Sequence, residues 1–140
     1  MVIKMTEETD ILKKLVVEEK DVTRELEKLV EDASGIFRIE KPSGRIIFQD
    51  FGALNDKQRI LVLLIGKYFA TKIGIIKDSS LSISQIAKEL GRPMTTLSGP
   101  LRDLVKDGFV EKIPGRKYKI TYHRIKEIFS KILLSKSKGN

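Results

Sequence analysis

Thr95, Thr96, Ser98, Gly99, Arg102, Asp103 and Lys106 share one side of a segment whose other side carries Leu97, Leu101, Leu104 and Val105. At helical periodicity the leucines must face a core, which leaves the hydroxyls, the guanidinium and the ammonium outside. A threonine hydroxyl donates or accepts at a base edge and its methyl packs on thymine, while an arginine grips a guanine edge or a phosphate with two N–H groups. Farther along, Lys112, Arg116, Lys117 and Lys119 flank Pro114 and Gly115, turn residues inside an alternating apolar pattern. Four cations on so short a hairpin suit phosphate oxygens. A merely solvated helix face and loop is the competing reading of both patterns.

Other chemistry is scarce. The chain holds one histidine and no cysteine, so the usual acid–base and thiolate ligand sets are missing, and neither a metal nor a cofactor is expected. His123 stands at the start of a predicted helix, where an exposed or capping imidazole is the simplest role. No Gly-x-x-x-x-Gly-Lys-Ser/Thr or Gly-x-Gly-x-x-Gly loop occurs to cradle a nucleotide phosphate. Glu7, Glu8, Glu18, Glu19 and Asp21 fall on an amphipathic helical pattern and read as a solvated face. Together these observations argue against an enzyme.

Charge supplies the context for the polar faces. The 140 residues carry a formal net charge of +8, which favours polyanionic partners. That surplus is segregated: residues 1–55 hold 9 basic and 12 acidic side chains, a net of −3, and residues 56–140 hold 18 and 7, a net of +11. With 41% hydrophobic residues there is material for one core. No apolar run approaches the ~18–20 residues that cross a bilayer, and no apolar leader opens the chain, so the expected location is cytoplasmic and nucleoid-associated.

These faces need elements to position them. Apolar residues at intervals of three and four over 11–33 predict an amino-terminal helical arm, in one piece or broken near Lys20. Two β-prone runs around Pro42, Ser43 and Gly44 predict a hairpin over 36–48. Asn55 or Asp56 caps a helix running to about Thr71, whose residues 60–65 are apolar nearly all round, as in a central core helix. Residues 75–80 read as a loop and 81–83 as a short extended piece. Ser84 then caps a helix over 85–90, Gly91 stops it, Arg92 and Pro93 turn the chain, and a further helix reaches Lys106. Gly99 and Pro100 lie inside that helix, which predicts a late start or a kink, because proline lacks an amide donor and clashes one turn back. A basic hairpin over 109–121 and an amphipathic helix over 122–134 close the chain.

Helix, short strand, helix, tight turn, helix and basic hairpin, in that order, are the layout of a winged helix-turn-helix. Leu81 to Gly91, then Thr95 to Ser98, Leu101 to Leu104 and Lys106 to Val110, resemble the winged-helix transcription regulators of bacteria and archaea over about half the chain. Ile86, Ala87, Leu90, Leu97, Leu101, Leu104 and Gly108 occupy the expected places, whereas Arg92 stands where a small apolar residue commonly packs. The resemblance implies a three-helix unit with a β-wing used mostly on duplex DNA. The expected fold is mainly α with small β hairpins, α+β in class. Residues 1–54 would form an assembly arm with its hairpin, and residues 55–140 a DNA-binding winged helix with a carboxy-terminal helix.

Regulators of this class bind paired half-sites as dimers, so the apolar stripes of the terminal helices predict a homodimer, unless the two helices cover each other within one chain. No small-molecule ligand is inferable. Two other readings compete: a winged helix serving as a protein-interaction module in a replication, transcription or chromosome assembly, and RNA binding, which the lack of an aromatic stacking platform disfavours. A weak echo of 101–116 in 26–45 raises a tandem winged-helix arrangement against chance similarity. Abundant Lys, Glu and Ile with no Cys gives the composition an archaeal, thermophile-like cast.

Overall fold

A computed structural model describes residues 34–138, with side chains as far as Leu133. The helical arm expected over 11–33 lies outside the described residues, as does the helical half of the tandem echo.

Strands β1 (Phe37–Ile39) and β2 (Ile46–Phe48) form an antiparallel hairpin in which Phe37 faces Phe48 and Ile39 faces Ile46. A single 3-10 turn (Phe51–Ala53) leads to helix α1 (Asp56–Lys72). Its start is fixed by a reciprocal cap: the Gln58 amide donates to the Asn55 side chain, and the Asn55 amide donates to the Gln58 side chain, both at 2.9 Å. Every residue from Ile60 to Tyr68 is buried, so α1 is the central post of the fold. Only a helix surrounded on all sides can be apolar all round.

Strand β3 (Leu81–Ser82) is followed by α2 (Ile83–Leu90) and α3 (Met94–Lys106). The cap of α2 is Ser82, two residues before the expected Ser84, and β3 is correspondingly shorter than 81–83. The reason is the partner three positions on: Ser82 exchanges hydrogen bonds with Gln85, whereas Ser84 would meet Ala87, which has no side-chain acceptor. Gly91 closes α2 in the left-handed region at φ 64°, a conformation costly for any residue with a Cβ.

Helix α3 runs unbroken from Met94 through Pro100 to Lys106, so the expected late start is not found. Pro100 is the seventh of the thirteen residues, so its missing amide removes one internal hydrogen bond, but Leu97, Leu101 and Leu104 on the inner face are at most 3% exposed. Burial of three leucines, each favourable by ~1.5–3 kcal/mol, outweighs one lost hydrogen bond.

Strands β4 (Val110–Ile113) and β5 (Lys117–Ile120) form the wing, and β5 also pairs with β3, giving an antiparallel sheet in the order β3, β5, β4. A 3-10 turn (Tyr122–Arg124) opens helix α4 (Ile125–Lys138). Its stripe, Ile125, Ile128, Phe129 and Ile132, is buried within the chain, with the Phe129 ring 6.2 Å from Phe37 and 6.4 Å from Phe69. The first hairpin, expected to travel with the arm, shares this core: Ile36, Phe37 and Ile46 pack in one cluster with α1 and α4. The fold is α+β, a winged helix-turn-helix with an extra hairpin packed on its central helix. No helix among the described residues is long and apolar enough to cross a membrane.

Candidate nucleic-acid interface

The outer face of α3 carries Thr95, Ser98, Arg102 and Lys106 exposed, with Thr96 and Gly99 partly so. Asp103 lies on the same side, and its carboxylate is engaged by Lys57 of α1 at 3.3 Å. That pairing offsets the one negative charge that would repel a phosphate. Arg102 and Lys106 have no carboxylate within ion-pair reach among the described residues. Arg92, out of place as a packing residue, is explained by Asp56: its Nε and Nη2 each lie 3.3 Å from a carboxylate oxygen there. The turn between α2 and α3 is thereby tied to the first turn of α1.

Alternation along the wing sorts its cations. Lys112 faces Tyr118 across the hairpin, while Glu111 faces Lys119 and Ile113 faces Lys117. Successive residues of a strand point to opposite faces, so Lys112 and Tyr118 turn toward α3, and Lys117 and Lys119 turn away. Ser98, Arg102 and Lys106 of α3 then line a cleft of about 510 Å³ together with Ile83, Lys112 and Tyr118. The Lys112 ammonium stands 6.0 Å from the Tyr118 ring centre, a weak cation–π contact that holds it at the cleft. On the opposite face Lys117 pairs with Asp78 at 3.5 Å and Lys119 with Glu111 at 3.7 Å. Arg116 sits exposed at the wing tip with φ 56°, next to Gly115 at φ 88°.

Of the ten residues singled out by sequence, the fold gathers Ser98, Arg102, Lys106 and Lys112 at one cleft and leaves Thr95, Thr96 and Gly99 along the same helix face. It projects Arg116 from the tip and puts Lys117 and Lys119 on the far side of the wing. Tyr118 and Met94 were missed. Tyr118 was legible from strand alternation, being opposite Lys112. Met94, 47% exposed at the head of α3, looks in sequence like one more core residue. His123 is exposed and lies edge-on to Tyr122.

Asp78 is the one carboxylate near the wing whose acidity is clearly altered. Hydrogen bonds from the Ser80 amide and hydroxyl, at 2.9 and 2.7 Å, hold it below its ordinary range, and Lys117 adds to the effect.

An α+β unit with a capped helix-turn-helix, an exposed polar face on its third helix and a basic wing beside it is a winged helix of the transcription-regulator kind. Residues 73–126, from the end of α1 to the start of α4, match the family model of the sugar-specific transcriptional regulator TrmB. No curated protein and no solved structure matches the chain. The match covers less than half of the chain, and with the fold it supports a winged-helix unit of the kind that DNA-binding transcription regulators carry.

Proposed function

We propose that the chain binds duplex DNA through the outer face of α3 and the wing, and regulates transcription without catalysing a reaction. The observation that carries this reading is the convergence of Arg102 and Lys106 with Lys112 and Tyr118 on one open cleft beside a neutral-to-basic helix face. Thr95, Thr96 and Ser98 would meet base edges, Arg102 a guanine edge or a phosphate, and Lys106, Lys112 and Arg116 the backbone. Gly99 lets a phosphate approach the helix closely. Lys117 and Lys119, each sharing its charge with a carboxylate, contribute less. Such a regulator works where the DNA is, in the cytoplasm with the nucleoid.

A homodimer on paired half-sites remains part of the proposal, and its support now rests on the segment 1–33, because the stripe of α4 is used up within the chain. Selection of bound duplexes from a random pool tests both points: an enriched palindrome is expected. Binding that is indifferent to salt, or unchanged in Arg102→Ala/Lys106→Ala, would overturn the DNA reading in favour of a protein-interaction module.

A further inference from the structure

Behind the wing, on the side away from the α3 cleft, four contacts tie together the first hairpin, the loop before β3, α2 and the wing. Lys117 pairs with Asp78, which fixes the loop before β3 against the wing. In that loop Ile76 packs so close to the first hairpin that a Cβ on Gly44 would stand 2.5 Å from its Cγ2. Lys67 of α1 donates to the Gly44 carbonyl at 2.9 Å and pairs with Glu89 of α2 at 2.9 Å. The loop, α2 and the wing border one groove of about 480 Å³, with Lys67, Lys88 and Lys117 in its lining, and the hairpin turn meets the loop beside it through Gly44 and Ile76.

The groove's carboxylates are already engaged, Asp78 by Lys117 and Ser80 and Glu89 by Lys67. Lys88 lines the groove, Lys41 and Arg45 belong to the hairpin turn and Lys77 to the loop that meets it at Ile76. All four are exposed and have no carboxylate within ion-pair reach among the described residues. The turn that carries Lys41 and Arg45 is pre-organised: the Gly44 amide donates to the Glu40 carbonyl at 2.8 Å, and the Ser43 hydroxyl donates to the Glu40 carboxylate at 2.8 Å. The Glu40 carboxylate keeps its charge but is held against Ser43, and Lys41 and Arg45 leave the turn with a net positive charge.

We propose that Lys41, Arg45, Lys77 and Lys88 form a second phosphate-backbone surface for duplex DNA, separate from the α3 face and indifferent to base sequence. The inference rests on the DNA-binding reading above. Long cations without carboxylate partners, carried on a hydrogen-bonded turn, a loop and a helix that pack together, are the pattern that positions a sugar–phosphate backbone. Among the described residues no exposed aromatic ring accompanies them, which favours a duplex over the stacked bases of a single strand.

Fluorescence anisotropy of the full chain on labelled duplexes of several sequences, at a series of salt concentrations, tests the surface. Lys41→Ala/Arg45→Ala/Lys77→Ala is expected to lower the log–log salt slope by about 2–3, at about 0.9 per phosphate contact, and to weaken all sequences alike without changing their ranking. The charge-retaining triple Lys41→Arg/Arg45→Lys/Lys77→Arg is expected to keep the wild-type slope. An unchanged slope in the alanine triple, with wild-type binding intact and the melting curve unaltered, overturns the second surface and leaves the α3 reading standing. A wild-type chain that binds no duplex overturns both.

Discussion

The Lys67 ammonium lies 2.9 Å from a Glu89 carboxylate oxygen, and the two partners differ in access to water: the Lys67 side chain is 8% exposed and that of Glu89 24%. The lysine's other described partner is the Gly44 carbonyl. One ammonium thus links the central helix, the first helix of the helix-turn-helix and the extra hairpin.

That asymmetry predicts which half of the pair matters more. In Glu89→Ala the buried ammonium keeps only a carbonyl, and the loss is expected to be ~2–4 kcal/mol, whereas Lys67→Met leaves a carboxylate that water reaches and should lose ~1–2 kcal/mol. Urea denaturation of the two single variants and the double variant checks the order. Equal losses would mean that the burial difference has no energetic weight.

Gly66 lies on α1 where a Cβ would stand 2.5 Å from Cδ1 and 2.8 Å from Cγ1 of Ile46. Helix propensity alone would favour Gly66→Ala by ~1 kcal/mol. The clash with a buried hairpin residue is expected to reverse the sign, giving a net loss of ~1–2 kcal/mol. The double change Gly66→Ala/Ile46→Val should recover part of it in thermal melts, because it trims the atom that is struck.

Among the described residues Gly99 meets no atom within 4 Å of the position a Cβ would occupy, so none of them requires glycine there. Gly99→Ala is expected to stabilise the fold by ~0.5–1 kcal/mol through helix propensity. If the glycine admits a phosphate, the same substitution weakens duplex binding severalfold. A calorimetric melt and a binding titration on one sample separate the two effects, and a variant that gains stability without losing affinity removes Gly99 from the interface.

Pro100→Ala restores an amide donor within α3 and should raise stability by ~1–3 kcal/mol. Its binding is expected to change little, since the side chain is not among those that line the cleft beside the wing. A fall in melting temperature would show that the proline ring is itself required for packing.

The Asp78 carboxyl is held below its ordinary value of 3.8, chiefly by the Ser80 amide. A depressed folded-state value contributes stability above the unfolded value, and the contribution disappears as pH falls through the folded one. The melting-temperature difference between wild type and Asp78→Asn is therefore expected to be constant from pH 7 to about 5 and to shrink below about 4. With the side chain 61% exposed, the effect is small, because solvent screens it.

Much of the fold is legible in the residues because local rules and the core agree. The apolar run over 60–65 demanded a central helix, Gly91 marked the end of α2, and Pro114 with Gly115 marked the wing turn. Leu97, Leu101 and Leu104 set the inner face of α3, and hence which of its side chains face solvent, since helical periodicity leaves no alternative. The choice of Ser82 over Ser84 as cap was also present in the sequence, as the Gln three residues on. Tertiary structure decided the rest. Local propensity argues against a helix through Pro100, and only the burial of the leucines on either side carries α3 across it. The stripe of α4 could have met a second chain, and it is Phe37 and Phe69, distant in sequence, that cover Phe129. Four wing cations look equivalent in a string, yet strand pairing turns Lys112 to the cleft and hands Lys117 and Lys119 to Asp78 and Glu111. Charge and periodicity are properties of the chain; which charge finds a partner depends on distances that exist only once the elements have packed.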